Sequence, residues 1–192
     1  MLEWIVALIP ILPLAAASWI GMAILFGQAN GEAHERRTSQ VTLAACGASF
    51  VATLVLMIAR FAGPLPEQVV LGRWLTSGQF QVDLNFVIDD LSLALLVLAS
   101  LACLLVARFS VNYLHREPGF HRFFLVLSLF AAAMTLLVIG GNAVLTFVGW
   151  EVAGLCSYLL IAFFQDRPVA AGNATRVFVT NRVGDAGFLL GI

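Results

Sequence analysis

The sequence predicts an all-α transmembrane fold of six helices with a small surface β-hairpin, and three observations predict it. Apolar residues make up 61% of the chain and charged residues only 11%, with a mean hydropathy of +0.97. A domain that must keep its surface wet carries about a quarter charged residues. Apolar runs close to the ~20 residues that cross a hydrocarbon core recur along the chain. The arginines, finally, are concentrated in alternate connections, as membrane topology requires. The bilayer is therefore the solvent for most of this protein.

The first span is expected over Trp4–Phe26. It is longer than the 7–15-residue core of a signal peptide, lacks a basic leader and is followed by further spans, so it reads as a membrane helix. Pro10 and Pro13 lie inside it, where they free carbonyls that neighbouring helices must satisfy. The second span is expected over Val41–Phe61. The long loop Ala62–Asp90 follows, and within it Phe80, Val82, Leu84 and Phe86 alternate with Gln81, Asp83 and Asn85, a strand period. Val69–Leu75 precedes that stretch across the turn signal Thr76-Ser77-Gly78, so a hairpin lying on the membrane surface is expected. Asp89 or Asp90 is placed to cap the third helix, Leu91–Phe109. Two more spans are expected at Phe123–Gly140 and Ala143–Phe164. A sixth begins near Ala170 and is still running at Ile192 without a cap or closing loop, which would leave carbonyls unpaired in hydrocarbon and argues for a fragment of a longer membrane protein.

Orientation follows from the arginines; there is no lysine. Arg36, Arg37, Arg108, Arg116, Arg122, Arg167 and Arg176 border the connections after the first, third and fifth spans, against Arg60 and Arg73 on the other side. The positive-inside rule places the richer side in the cytoplasm and the N-terminus outside.

Much chemistry is excluded. A net charge of −1 offers no basic excess to nucleic acid. Cys46, Cys103 and Cys156 stand in separate apolar runs and read as packing residues. No phosphate-binding glycine loop, HExxH, CxxC or Gly-x-Ser-x-Gly occurs, and Gly184, Gly187 and Gly191 are spaced for helix packing. His34, His115 and His121 lie in or beside cytoplasmic loops, where solvated or headgroup-facing histidines are the expected reading. Flavin, haem, iron–sulfur, NADH and metal sites are not expected in this chain.

Three ionisable residues at mid-membrane depth are the exception. Glu151 is expected about 20 Å below the cytoplasmic end of the fifth helix, with Arg182 and Asp185 about 18 and 22 Å along the antiparallel sixth. A charge at the bilayer centre costs about 2.5–3.5 kcal/mol on insertion scales, so such residues face a bundle interior or a water path. Asn181, Arg182 and Asp185 share one helix face, and Gly154 and Tyr158 share the face of Glu151. The static reading is a buried ion pair. The functional reading is a proton relay, since Arg182 can fully compensate only one of two acids and leaves the other free to exchange a proton.

Several segments carry a resemblance. Glu117-Pro-Gly-Phe-His-Arg-Phe-Phe124, Phe147-Val-Gly-Trp-Glu-Val-Ala-Gly-Leu-Cys-Ser-Tyr-Leu-Leu-Ile161 and Asn181-Arg-Val-Gly-Asp-Ala-Gly-Phe-Leu-Leu-Gly-Ile192 resemble, in order, segments of the antiporter-like L subunits of bacterial NADH:quinone oxidoreductase (complex I), and the Asp89-Asp90-Leu-Ser loop end also fits. The resemblance implies an inverted-repeat fold of 14 or more helices, of which residues 1–192 would be the N-terminal part. It implies that Glu151 and Asp185 lie on a proton path, with Arg182 orienting both, and that the glutamate pairs with a lysine on a seventh helix. Val152-Ala153 departs from a pattern that often has glycine first. By the same resemblance the other membrane subunits and the lipid bilayer are the partners, protons or Na⁺ the transported ion, and a bacterial inner membrane the location. Quinone, NADH, FMN and iron–sulfur clusters are implied only in other subunits. The rival readings are the A-type subunit of a multisubunit Na⁺/H⁺ antiporter and a non-conducting membrane anchor.

Overall fold

The computed structural model describes residues 2–28, 32–63, 65–77 and 80–191. Its elements run α1 (Leu2–Leu25), α2 (Glu32–Ala62), β1 (Gln68–Ser77), β2 (Phe80–Val87), α3 (Asp90–Tyr113), α4 (Phe120–Ile139), α5 (Ala143–Ile161) and α6 (Pro168–Gly191). Among the described residues, α1 to α5 are long and apolar enough to cross a membrane. The sixth helix has the length, 24 residues, but it carries Arg176, Arg182 and Asp185 and is not among those five. This is the all-α membrane architecture expected, and α6 packs principally against α5.

Two proline-freed backbone groups were expected in α1, and one has a visible remedy. Pro13 cannot donate to the carbonyl four residues back, which is that of Ile9. Ser49 Oγ of α2 donates to that carbonyl at 2.8 Å, so α1 stays one helix with both prolines inside it.

The helix boundaries depart from the apolar runs where polar residues are buried. Helix α2 begins at Glu32, ahead of Val41, because Thr38, Ser39 and Thr42 face protein and are each at most 5% exposed. Thr38 Oγ1 shares a hydrogen bond with His121 Nδ1 at 2.8 Å, and Thr42 Oγ1 with Ser128 Oγ at 3.1 Å. Helix α5 stops at Ile161, before Phe164, since Phe163 turns back into a cluster with Ile20, Leu114, Phe120 and Phe124. Arg122 Nη2 holds that turn by donating to the Phe163 carbonyl at 3.1 Å.

The hairpin does more than lie on a surface. Antiparallel β1 and β2 pair from Gln68↔Val87 to Ser77↔Phe80; Gly78 of the expected turn falls outside the described residues, as does Ile192. Val69, Phe86 and Ile88 join Val6, Ile9, Leu56, Leu93, Leu96, Ile139 and Leu145 in one core that ties together the near ends of five helices. Asp89 is the cap of α3, its Oδ1 accepting from Ser92 N and Ser92 Oγ. Asp90 instead accepts from Arg60 Nε at 2.9 Å. The hairpin also fixes the start of α5. Gly141 N donates to Asn85 O at 2.8 Å, and a Cβ at Gly141 would meet that oxygen at 2.7 Å, so only glycine fits. Asn142 uses both ends of its amide, Oδ1 accepting from Leu145 N at 2.9 Å and Nδ2 donating to Asp83 O at 2.7 Å.

Candidate functional site

The pinned start of α5 sets the rotation at which its middle meets the neighbouring helices. Gly149 lies against α4 so closely that a Cβ there would fall 2.7 Å from Leu137 N and 2.9 Å from Leu137 Cα. With that face committed to α4, Trp150 and Glu151 turn toward α6. Glu151 stands about 15 Å from the end of α5 at Ile161, and Arg182 about 21 Å from the start of α6 at Pro168, so both are deep within their helices.

The structure brings the three expected residues together. Arg182 bridges both acids: Nη1 contacts Glu151 Oε2, and Nη2 lies 3.0 Å from Asp185 Oδ2. Their side chains are 34%, 24% and 7% exposed for Arg182, Glu151 and Asp185, so Asp185 is the enclosed member. Gly154 leaves room for the guanidinium, since a Cβ there would sit 3.3 Å from Arg182 Nη2. Phe178 carries the cation on its ring face, 5.2 Å from Arg182 Cζ to centroid, an arrangement that attracts a guanidinium. Two carboxylates sharing one guanidinium keep one net negative charge, and a single proton balances it.

Other candidates are placed differently. Tyr158 packs against Phe178 in a tilted arrangement with ring centroids 5.0 Å apart, and among the described residues no hydrogen bond joins its phenol to the acids. Asn181 is exposed along the wall of a cavity of about 630 Å³ that it shares with Leu137, Thr146, Trp150, Asp185 and Phe188. His115 Nδ1 meets Glu35 Oε2 at 3.2 Å, and His121 is held by Thr38 in the first turn of α4. Both histidines are therefore engaged with protein groups at the end of the bundle away from the hairpin. His34 lies in the first turn of α2, beside the connection from α1.

One participant was not foreseen. Trp150 Nε1 donates to Asp185 Oδ1 at 2.7 Å. The signal available was general: an indole N–H in an apolar setting seeks an acceptor, and the enclosed carboxylates were the acceptors on offer.

Comparisons with known proteins fall on these same elements. The family model described as NADH-Ubiquinone oxidoreductase (complex I), chain 5 N-terminus, matches residues 74–124, from the hairpin into α4. The model described as NADH:quinone oxidoreductase/Mrp antiporter, TM, matches residues 140–192, which hold Trp150, Glu151, Arg182 and Asp185. The NAD(P)H-quinone oxidoreductase chain 5 of a Synechocystis species is 40% identical over 187 residues, covering 96% of this chain and 27% of the relative. The chloroplastic subunit 5 proteins of Nephroselmis olivacea and Chlorokybus atmophyticus are each 36% identical over 185 residues, covering 96% of this chain and 28% of theirs. The chain thus spans about a quarter of the length of the curated relatives it matches. With the helices, the hairpin and the charged cluster in the matched segments, this chain belongs to the family of antiporter-like membrane subunits of NADH:quinone oxidoreductase.

Proposed function

We propose that this protein is a proton-translocating membrane subunit of an NADH:quinone oxidoreductase, coupling quinone reduction in other subunits to proton transfer through Glu151 and Asp185. The observation that carries the reading is the shared guanidinium: one Arg182 contacts two carboxylates deep in the helices. Intramembrane acids in such settings mark ion and proton paths. The charge imbalance gives the cluster a resting place for one proton, and a cation arriving beside Glu151 would drive that proton on. NADH, flavin, iron–sulfur and quinone chemistry belong in this reading to other subunits, and the neighbouring membrane subunits and lipid are the partners. The arginine-rich helix ends face the cytoplasm of a bacterial cell, and the hairpin and N-terminus face outward across its inner membrane.

The name of the second matched family also covers Mrp antiporters, so cation/proton antiport is the alternative within transport, with Na⁺ as the coupled ion. The match at residues 74–124 and the names of the relatives favour the oxidoreductase. A static anchor is the alternative outside transport. Glu151→Gln in the full-length subunit of the assembled complex decides between relay and anchor, because the amide keeps shape and hydrogen-bonding capacity while removing the proton site. Proton pumping should fall severalfold with assembly retained. Undiminished pumping would overturn the relay, and pumping that requires added Na⁺ would favour the antiporter.

A further inference from the structure

The two oxygens of Asp185 have different neighbours. Oδ1 receives the Trp150 N–H at 2.7 Å, a short bond. Oδ2 is 3.0 Å from Arg182 Nη2 yet is buried with no aligned hydrogen bond, and Arg182 Nε is likewise buried and without one. The contact at Oδ2 is therefore one of charge, with directions that miss hydrogen-bond geometry.

Indole N–H and guanidinium are both donors and never acceptors. A proton on Oδ1 would weaken the Trp150 bond, since a carboxyl hydroxyl is a poorer acceptor than a carbonyl oxygen. A proton taken up by Asp185 therefore goes to Oδ2, which has no aligned hydrogen bond to lose, and there it meets the other donor, Arg182. We infer that Trp150 is a positioning residue: its N–H reserves Oδ1 and confines the exchangeable proton of Asp185 to the oxygen that faces Arg182. Protonation of Asp185 and release of its Arg182 contact then become one event, which leaves the guanidinium to Glu151 alone. Without the indole donor, Oδ1 could take the proton while the charge contact at Oδ2 persisted.

Packing against the described residues is a poor explanation for Trp150. It is 50% exposed, and its ring stands 6.3 Å from that of Phe188 between centroids. Phenylalanine at this position would keep an aromatic ring there and lack the N–H.

The inference rests on the proton-path reading, and its test separates the two. Infrared difference spectra between acid and alkaline conditions are recorded on the full-length subunit in its assembled complex, with the Asp185 carboxyl band identified by its loss in Asp185→Asn. In Trp150→Phe that band should shift, because the carbonyl is no longer an Oδ1 held by the indole N–H, and protons pumped per quinone reduced should fall. Trp150→His, which can restore a ring N–H, should move the band back. A band unmoved by Trp150→Phe, or a shifted band with the full pumping ratio, would overturn the inference, as would the absence of any Asp185 band in the unaltered protein. Should Trp150→Phe fail to assemble, the Raman marker of the indole N–H in the unaltered protein, identified by ¹⁵N-tryptophan, takes its place. It should report a bonded N–H both before and after Asp185 takes up its proton, and a free N–H in the protonated state overturns the inference. Retained pumping in Glu151→Gln would sink the proton path, whereas the Asp185 band reports on Trp150 whether or not protons are pumped.

Discussion

Ser49→Ala tests whether the proline in α1 depends on its neighbour. Pro13 has no N–H for the Ile9 carbonyl, and Ser49 Oγ of α2 donates to it at 2.8 Å. Ser49 is 2% exposed and Ile9 fully buried, so solvent offers no replacement. Interhelical hydrogen bonds in membranes average about 0.6 kcal/mol and reach about 2 kcal/mol. An orphaned buried carbonyl costs about 1–3 kcal/mol. The loss should therefore lie in the upper part of the membrane range, about 1–2 kcal/mol, a factor of roughly 5–30 in the folded-to-unfolded ratio. Pro13→Ala returns a helical N–H to Ile9, and on that background Ser49→Ala should cost less than about 0.5 kcal/mol. Reversible unfolding of the full-length protein in mixed micelles, run on both single variants and the double variant, gives the coupling directly. Equal costs of Ser49→Ala on the two backgrounds would refute the reasoning, since the hydroxyl would then be doing nothing that a helical N–H can replace.

Two further outcomes are expected. Arg182→Met strands Glu151 and Asp185 without their shared cation; removing one side of a buried pair costs about 3–5 kcal/mol, so native gels should show less assembled complex than Glu151→Gln gives. At the cap of α3, the Ser92 hydroxyl and then the Ser92 N–H hold the Asp89 carboxyl below its ordinary value. Its contribution is therefore complete above about pH 4 and lost as the pH falls through that lowered value. Asp89→Asn still accepts but does not titrate, and the difference in unfolding midpoint between neutral and acid pH should narrow.

The spans were legible because hydropathy measures transfer out of water, and five helices here make that transfer along most of their length. The boundaries failed where transfer and contact part company. Thr38, Ser39 and Thr42 lower the hydropathy at the start of α2, yet they are buried because hydroxyls on α2 meet His121 and Ser128 on α4. Phe163 and Phe164 prolong the apolar run of α5, yet an aromatic cluster beyond the helix end receives Phe163. The strand alternation of β2 was readable, but its docking was not. The bonds from Gly141 and Asn142 to Asn85 and Asp83 join residues far apart in the chain, and no local period encodes them.

The charged residues of the site announced themselves because each is expensive in hydrocarbon; Trp150, comfortable there, gave no such signal. Helical spacing also concealed it. A rule that groups residues three and four apart assigns Gly154 and Tyr158 to Glu151 and sets Trp150 about 100° away. What brings Trp150 back is the spread of the partners. Arg182 and Asp185, three apart, are separated by about 60° around α6, so the pair covers an arc wide enough to meet two adjacent positions on α5. Arg182 reaches Glu151 and Asp185 reaches Trp150. Neighbours in sequence on one helix thus serve neighbours in charge on the other, and an adjacent tryptophan and glutamate at depth become one unit only when the facing helix carries its cation and its acid at that offset.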